Sequence, residues 1–158
     1  MQEIVEYLIK NNKTISTMES CTGGFIVNEI TNIEGSSNVI KFSAITYSNE
    51  FKIKMGVDED IISKYSVYSI ETSIEMSKKI SEFTNSDYGV GITGKLNRVD
   101  ENNKFGKDNE VFVSIYDRNN DKYYKKNIIV NKKTREENKK YILDIFISLF
   151  KGSVINGI

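Results

Sequence analysis

The stretch TMESCTGGFIVNEIT, residues 17 to 31, places two nucleophile-capable side chains, Ser20 and Cys21, between an acidic residue and a pair of glycines. β-Branched residues precede it and an apolar, helix-like run follows, so the segment reads as strand, sharp turn and helix. A side chain at such a turn stands where unpaired N–H groups and the positive end of the helix dipole face outward, which favours an oxyanion or a phosphate. Gly23 and Gly24 lack Cβ atoms and would let a ligand approach the backbone. The logic is that of a nucleophile elbow without the G-x-S-x-G spelling. The same residues also make an ordinary helix cap, because Ser and Thr are preferred N-caps and Gly is common nearby. A lone Cys21, likewise, reads as a small buried apolar residue. Local pattern leaves cap and nucleophile both open.

Composition narrows the chemistry. The 158 residues include no histidine and one cysteine. Ser–His–Asp and Cys–His catalysis are excluded, as are zinc sites built on histidine or thiolates. Any general base must be Lys, Tyr or a carboxylate. The 22 basic and 22 acidic side chains balance and are spread along the chain, which argues against a nucleic-acid or membrane surface as the main partner. The nearest basic run, Lys132 to Lys140, is diluted by Glu136 and Glu137 and reads as a solvated helix face. A single cysteine forms no intramolecular disulfide, which fits a reducing compartment. MQEIVEYLIKNN carries Glu3 and Glu6 where a signal peptide needs an uncharged apolar core. No apolar run approaches the ~20 residues of a membrane span. The expected location is cytoplasmic. The absence of proline suggests no function.

These residues must be positioned by regular elements. Ile4, Val5, Tyr7, Leu8 and Ile9 give a first amphipathic helix ending near Asn11–Asn12, and TISTM (14–18) a strand. Phe25, Ile26, Val27, Ile30 and Ile33 form the apolar face of a second helix, and EGSSN (34–38) is a turn. VIKFSAITYS (39–48) reads as a strand, followed by a short helix with Asn49 as cap and Gly56 as terminator. Ser69 caps a longer helix to about Phe83; DYGVGIT (87–93) is a strand ending at Gly94; residues 95–109 have loop composition. EVFVSIY (110–116) and YYKKNIIV (123–130) form a hairpin around DRNND, and a well-buried helix runs from about Thr134 to Lys151. Helices separating most strands, with one late hairpin, predict an α/β fold: a three-layer α/β/α sandwich with a mixed sheet, one domain over residues 1–158.

TMESCTGG, GSS at 35–37, TYSNEFK at 46–52 with MGV at 55–57, and GITG at 91–94 together resemble the CinA C-terminal domain family, in order and spacing along essentially the whole chain. The resemblance implies a nicotinamide-nucleotide amidase, which hydrolyses the amide of nicotinamide mononucleotide to nicotinate mononucleotide and ammonia. It suggests the stand-alone form, since the N-terminal domain of full-length CinA proteins has no counterpart here. By position, Ser20 matches the family's nucleophile, Lys52 its base and Tyr47 the tyrosine beside them. A Ser–Lys pair needs no histidine, and burial would lower the lysine pKa enough for it to take the serine proton. Tyr47 would relay a proton or hold the two groups in line. Glu19, Cys21, Thr22, Gly23, Gly24, Thr93 and Gly94 would line the substrate, with backbone N–H groups from Cys21 to Gly24 as oxyanion hole or phosphate cradle. Arg135, opening REENK, resembles a family arginine suited to the nucleotide phosphate. No cofactor and no metal are expected; the partner is a small nucleotide, and the family precedent suggests a homodimer.

The chain also departs from the pattern. After ITG the family continues with an AGP stretch and further glycines, whereas this chain reads KLNRVDENNKFGKDNEVFV, with only Gly106 left in the loop. SVYS at 66–69 likewise replaces GAVS. The loop, residues 95–108, is expected to be a mobile surface segment bordering the Ser20 pocket, with Lys95 and Arg98 supplying cations where backbone N–H groups served before. The altered loop keeps a second function open, a non-catalytic nucleotide-binding or regulatory homologue.

Overall fold

The first helix, α1 (Gln2–Lys10), buries Ile4, Val5 and Leu8, one turn-spaced stripe. It leads into β1 (Ile15–Glu19), a strand buried along its whole length. The elements α2 (Phe25–Thr31), β2 (Ile40–Ile45), α3 (Asn49–Lys54), α4 (Glu59–Tyr65) and α5 (Ile70–Thr84) follow. The chain closes with β3 (Tyr88–Gly94), β4 (Glu110–Asp117), β5 (Lys122–Ile129) and α6 (Arg135–Phe150), which runs on into a π-helical turn, Lys151–Ile155. The computed structural model describes residues 1–157.

The strands form one sheet in the order β2-β1-β3-β4-β5, with β2, β1 and β3 parallel and β3, β4 and β5 antiparallel. The predicted mixed-sheet α/β/α sandwich is the observed fold. Ile15 on β1, Tyr88, Val90 and Ile92 on β3, and Val111, Val113 and Ile115 on β4 point to the face covered by α1, α2 and α6, where the larger core lies. The period-2 alternation sends Met18 to the opposite face, against Met76 and Ile80 of α5.

The α5 face is built on small residues. Added Cβ atoms at Gly89 and Gly91 of β3 would stand 1.9 Å and 2.2 Å from the carbonyl oxygens of Ser77 and Ser73. The helix backbone therefore rests directly on the strand. Ser73 and Ser77 are fully buried and turn their hydroxyls back to the carbonyls of Ile70 and Ile74, which satisfies them without adding bulk.

Several boundaries move. The short third helix is capped by Ser48, whose Oγ accepts from the Phe51 N–H, rather than by Asn49. The helix α4, with Asp58 as its N-cap, is absent from the sequence reading. The final helix is less buried than expected: Asn138, Ile142, Phe146 and Phe150 form its fully buried stripe, while Leu143, Ile145, Ile147 and Leu149 are only partly covered. No helix among the described residues is long and apolar enough to cross a membrane.

Candidate active site

The parallel strands β1, β2 and β3 end on the same side of the sheet. From β1 the chain turns to α2 on one face, while from β2 it passes through α3 and α4 to α5 on the other. Neighbouring strands whose connections leave on opposite faces open a crevice at their carboxyl ends, the usual place for a ligand in such sheets. Ser20 follows β1 and Lys52 lies on the helix after β2, so the two face each other across that crevice.

The Ser20 turn is fixed from below. Glu19, at the end of β1, is fully buried, and its Oε1 accepts from Thr22 Oγ1 (2.7 Å) and the Ile26 N–H (3.0 Å). Its Oε2 accepts from Thr17 Oγ1 (3.1 Å) and the Val27 N–H (3.0 Å). A carboxylate from the preceding strand thus caps α2, where local pattern alone points to Ser or Thr. With both oxygens engaged and no exposure, Glu19 orients the turn from beneath. Gly23 and Gly24, at φ +61° and +91°, carry the chain through two left-handed residues into α2. The N–H groups of Gly23 and Phe25 close this turn on the Ser20 and Thr22 carbonyls, and the Ser20 N–H bonds to Ile92 O. The N–H groups of Cys21, Thr22 and Gly24 have no acceptor among the described residues.

Lys52 is 1 % exposed. Its Nζ donates to Ser20 Oγ at 3.0 Å and to the Thr46 carbonyl at 2.6 Å. Burial, by penalising the charged form, pulls its pKa down to about 8. Ser20 is itself 7 % exposed. Cys21, beside it, packs into the core cluster, and burial pushes its thiol up to about 12. It is a poor nucleophile at neutral pH.

Tyr47 stands apart from this pair. It is 63 % exposed, and its hydroxyl accepts from Arg135 Nη2 at 3.1 Å rather than meeting Ser20 or Lys52. The second partner of Lys52 Nζ is the Thr46 carbonyl, and Tyr47 and Arg135 lie together on the rim. Arg135 remains within electrostatic range of Cys21. Thr93 is buried and donates to Val67 O, and Gly94 pairs with Val111; both hold the end of β3 in place and neither reaches Ser20 by a hydrogen bond. A groove of about 510 Å³ opens beside the turn, lined by Thr22, Gly23, Gly24, Val27, Ile45 and Lys139. Lys139 Nζ lies 3.4 Å from where a Cβ of Gly23 would be. A second groove of about 580 Å³, along Lys132, Lys133, Tyr141 and Asp144, shares no residue with the turn and has no serine, threonine or cysteine in its lining.

The 95–108 loop differs most from expectation. Lys95 is buried, paired with Asp108 at 3.2 Å and seated 5.0 Å over the Tyr68 ring. It is not a free cation for a phosphate, because that position is already paired and closed to solvent. Arg98 is exposed, and its backbone N–H bonds to Asp108 O. The Tyr68 hydroxyl donates to Asp100, Asn103 Nδ2 donates to Asp100, and Asn49 Nδ2 donates to Asn103 Oδ1. Instead of hanging free, the loop is tied to both sides of the crevice. Tyr68, Asp100, Lys139 and Thr46 lie at the site without being identified by sequence reasoning as site residues. The replacement of GAVS by SVYS was the one available signal for Tyr68.

Fold and site together define a three-layer α/β protein with a buried serine–lysine pair at the carboxyl ends of parallel strands. The CinA C-terminal domain family matches residues 1–150, and the chain belongs to that family. It is similar to a CinA-like protein of Kosmotoga olearia, 45% identical over 96 residues, which make up 60% of this chain and 23% of that protein. A CinA-like protein of Endomicrobium trichonymphae is 46% identical over 88 residues, 55% of this chain and 21% of that protein. The chain thus spans about a quarter of the length of these relatives. Among solved structures, the competence/damage inducible protein CihA of Agrobacterium tumefaciens superposes with a TM-score of 0.80 at 25% identity, covering 93% of this chain and 91% of that one. A CinA superfamily protein of Klebsiella pneumoniae shares the fold at a TM-score of 0.89 and 17% identity, covering 98% and 95%.

Proposed function

We propose that this protein is an amidohydrolase that cleaves the carboxamide of nicotinamide mononucleotide, releasing ammonia and nicotinate mononucleotide, with Ser20 as nucleophile and Lys52 as base. The observation that carries the reaction type is the 3.0 Å contact between Lys52 Nζ and Ser20 Oγ, with the lysine buried and its pKa near 8. The substrate is supported by the family motifs around Ser20 and Lys52.

Neutral Lys52 takes the Ser20 proton as Oγ attacks the amide carbon. The resulting oxyanion is met by the unpaired N–H groups of the Cys21–Gly24 turn. The lysine ammonium then hands its proton to the departing nitrogen, and ammonia leaves a seryl ester. Water, deprotonated by the same amine, attacks that ester; the acid departs, and the proton returns to Ser20. The Thr46 carbonyl holds Nζ on the Ser20 side throughout. No metal and no histidine are needed in this sequence of proton transfers.

Purified protein mixed with nicotinamide mononucleotide should release ammonia and nicotinate mononucleotide in equal amounts, and Ser20→Ala should release neither while keeping its fold. Full turnover by folded Ser20→Ala would remove the serine mechanism. The latched loop keeps one second reading in play, a non-catalytic nucleotide-binding homologue, for which the wild type would bind the nucleotide without releasing ammonia.

A further inference from the structure

We propose that Asp100, held at the crevice by the 95–108 loop, makes this protein select amides borne on a positively charged ring, and that the loop does not take the substrate's phosphate. This rests on the amidohydrolase reading and deepens it.

The placement of Asp100 follows from hydrogen bonds on three sides. Thr93 at the end of β3 holds Val67, and the next residue, Tyr68, holds Asp100. The Ser20 N–H bonds to Ile92, the residue before Thr93, so Tyr68 and the nucleophile share the end of the same strand. Tyr68 also lies within electrostatic range of Cys21 and Tyr47. On the far side Asp100 is tied through Asn103 to Asn49, in the first turn of the helix that carries Lys52. The loop therefore bridges Tyr68 and the helix that carries Lys52, and Asp100 is bonded toward both anchors.

The charges decide what such a loop can recognise. Lys95 is neutralised by Asp108 and covered. Asp100 has only neutral donors: the Tyr68 hydroxyl, the Asn102 N–H and the Asn103 amide. No lysine or arginine pairs with it among the described residues. The Tyr68 hydroxyl holds its carboxyl below the usual range, so it is ionised at neutral pH. An uncompensated carboxylate at the mouth of the crevice attracts a cation and repels a phosphate, an effect that water and salt partly screen. Arg135 on the Tyr47 rim and Lys139 beside Gly23 supply positive charge at the α6 side. A substrate with a cationic ring and an anionic tail would align with the ring toward Asp100 and the tail toward α6.

Nicotinamide mononucleotide and its reduced, dihydro form make the test, since they share amide and phosphate and differ in the charge of the ring. Dissociation constants are measured by calorimetry on Ser20→Ala and on Ser20→Ala/Asp100→Asn, with circular dichroism to establish folding. Asparagine keeps an acceptor for the Tyr68 hydroxyl and the Asn103 amide, removes the charge and gives up only the bond from the exposed Asn102 N–H. One partly screened charge pair is worth roughly tenfold in affinity. Ser20→Ala should bind the oxidised form about tenfold more tightly than the reduced form, and Asp100→Asn should erase most of that preference through the oxidised form alone. Equal affinities in Ser20→Ala, a preference untouched by Asp100→Asn, equal weakening of both forms, or binding of neither would each overturn the proposal. The two readings fail separately. A wild type with the Asp100-dependent preference but no ammonia release loses the amidase reading and keeps the charge selection. One that deamidates both ring forms with equal efficiency, unaffected by Asp100→Asn, does the reverse.

Discussion

Ser20 and Cys21 are neighbours on one turn, yet their surroundings assign them different work. Ser20 Oγ meets the Lys52 amine, while the Cys21 thiol is turned into the core and held protonated by burial. Cys21→Ala should therefore keep most of the activity, at a cost in packing of about 1 kcal/mol; a dead, well-folded Cys21→Ala beside an active Ser20→Ala would reverse the assignment. Lys52 has a cost that can be measured without substrate. Its pKa falls from 10.5 in the unfolded chain to about 8 in the folded one. Between those values the unfolded state binds more protons, so stability rises with pH across that window and is flat on either side. At neutral pH the buried ammonium thus destabilises the fold, by about 3 kcal/mol relative to a neutral amine. Urea midpoints from pH 7 to pH 11 should show the wild type gaining on Lys52→Met between pH 8 and pH 10.5; parallel curves would mean that Lys52 is not desolvated. The types of these residues were legible in the sequence, because the lack of histidine leaves few bases and the motif spacing points to Lys52. The position of Tyr47 was not, since its rotation toward Arg135 depends on a helix 88 residues away.

The elements were readable where periodicity and caps agree. The first helix, the Ser69 cap of α5 and the Thr134 capping box of α6 all lie where local chemistry puts them. The helix α4 carried its own signal, Asp58 followed by Glu59 and Asp60, but seven residues between two loops make a weak period. The capping of α2 by Glu19 was illegible for a different reason. It depends on a strand's last side chain folding back under the turn, a tertiary contact with no local pattern. The seating of α5 on β3 is similar, and the glycines of YGVGITG acquire their meaning only once the helix is placed. Gly91→Ala would drive a methyl to 2.2 Å from Ser73 O and 2.6 Å from Ser77 N, both backbone atoms that cannot swing aside. We expect a loss of at least about 3 kcal/mol by denaturant unfolding. Gly152→Ala, with nothing within 4 Å of its added Cβ, should be close to neutral. Equal stability of the two variants would mean that α5 does not rest on the strand as described.

At the scale of the whole molecule, the architecture was legible as alternating helices and strands with one hairpin, and the crevice followed from the sheet order. The 95–108 loop was not. Its charged and amide residues look the same in a sequence whether they are solvated or latched, and the latches, Tyr68 and Asn49, lie far away along the chain. What the molecule as a whole contributes to chemistry is desolvation: the sheet ends, α3 and the Ser20 turn leave Lys52 1 % exposed, and that burial gives a lysine a pKa near 8. A protein that pays this cost in stability should show it in the reaction it runs. The direct measurement is the pH dependence of kcat/KM for ammonia release from nicotinamide mononucleotide, wild type against Lys52→Arg. The account predicts a wild-type profile that climbs with pH to half its plateau at about 8, as Lys52 becomes neutral. It predicts a Lys52→Arg protein that is folded, at least about 10³-fold slower and without that limb, because a guanidinium cannot take the serine proton. A Lys52→Arg enzyme with near-normal kcat/KM and the same acidic limb would contradict it.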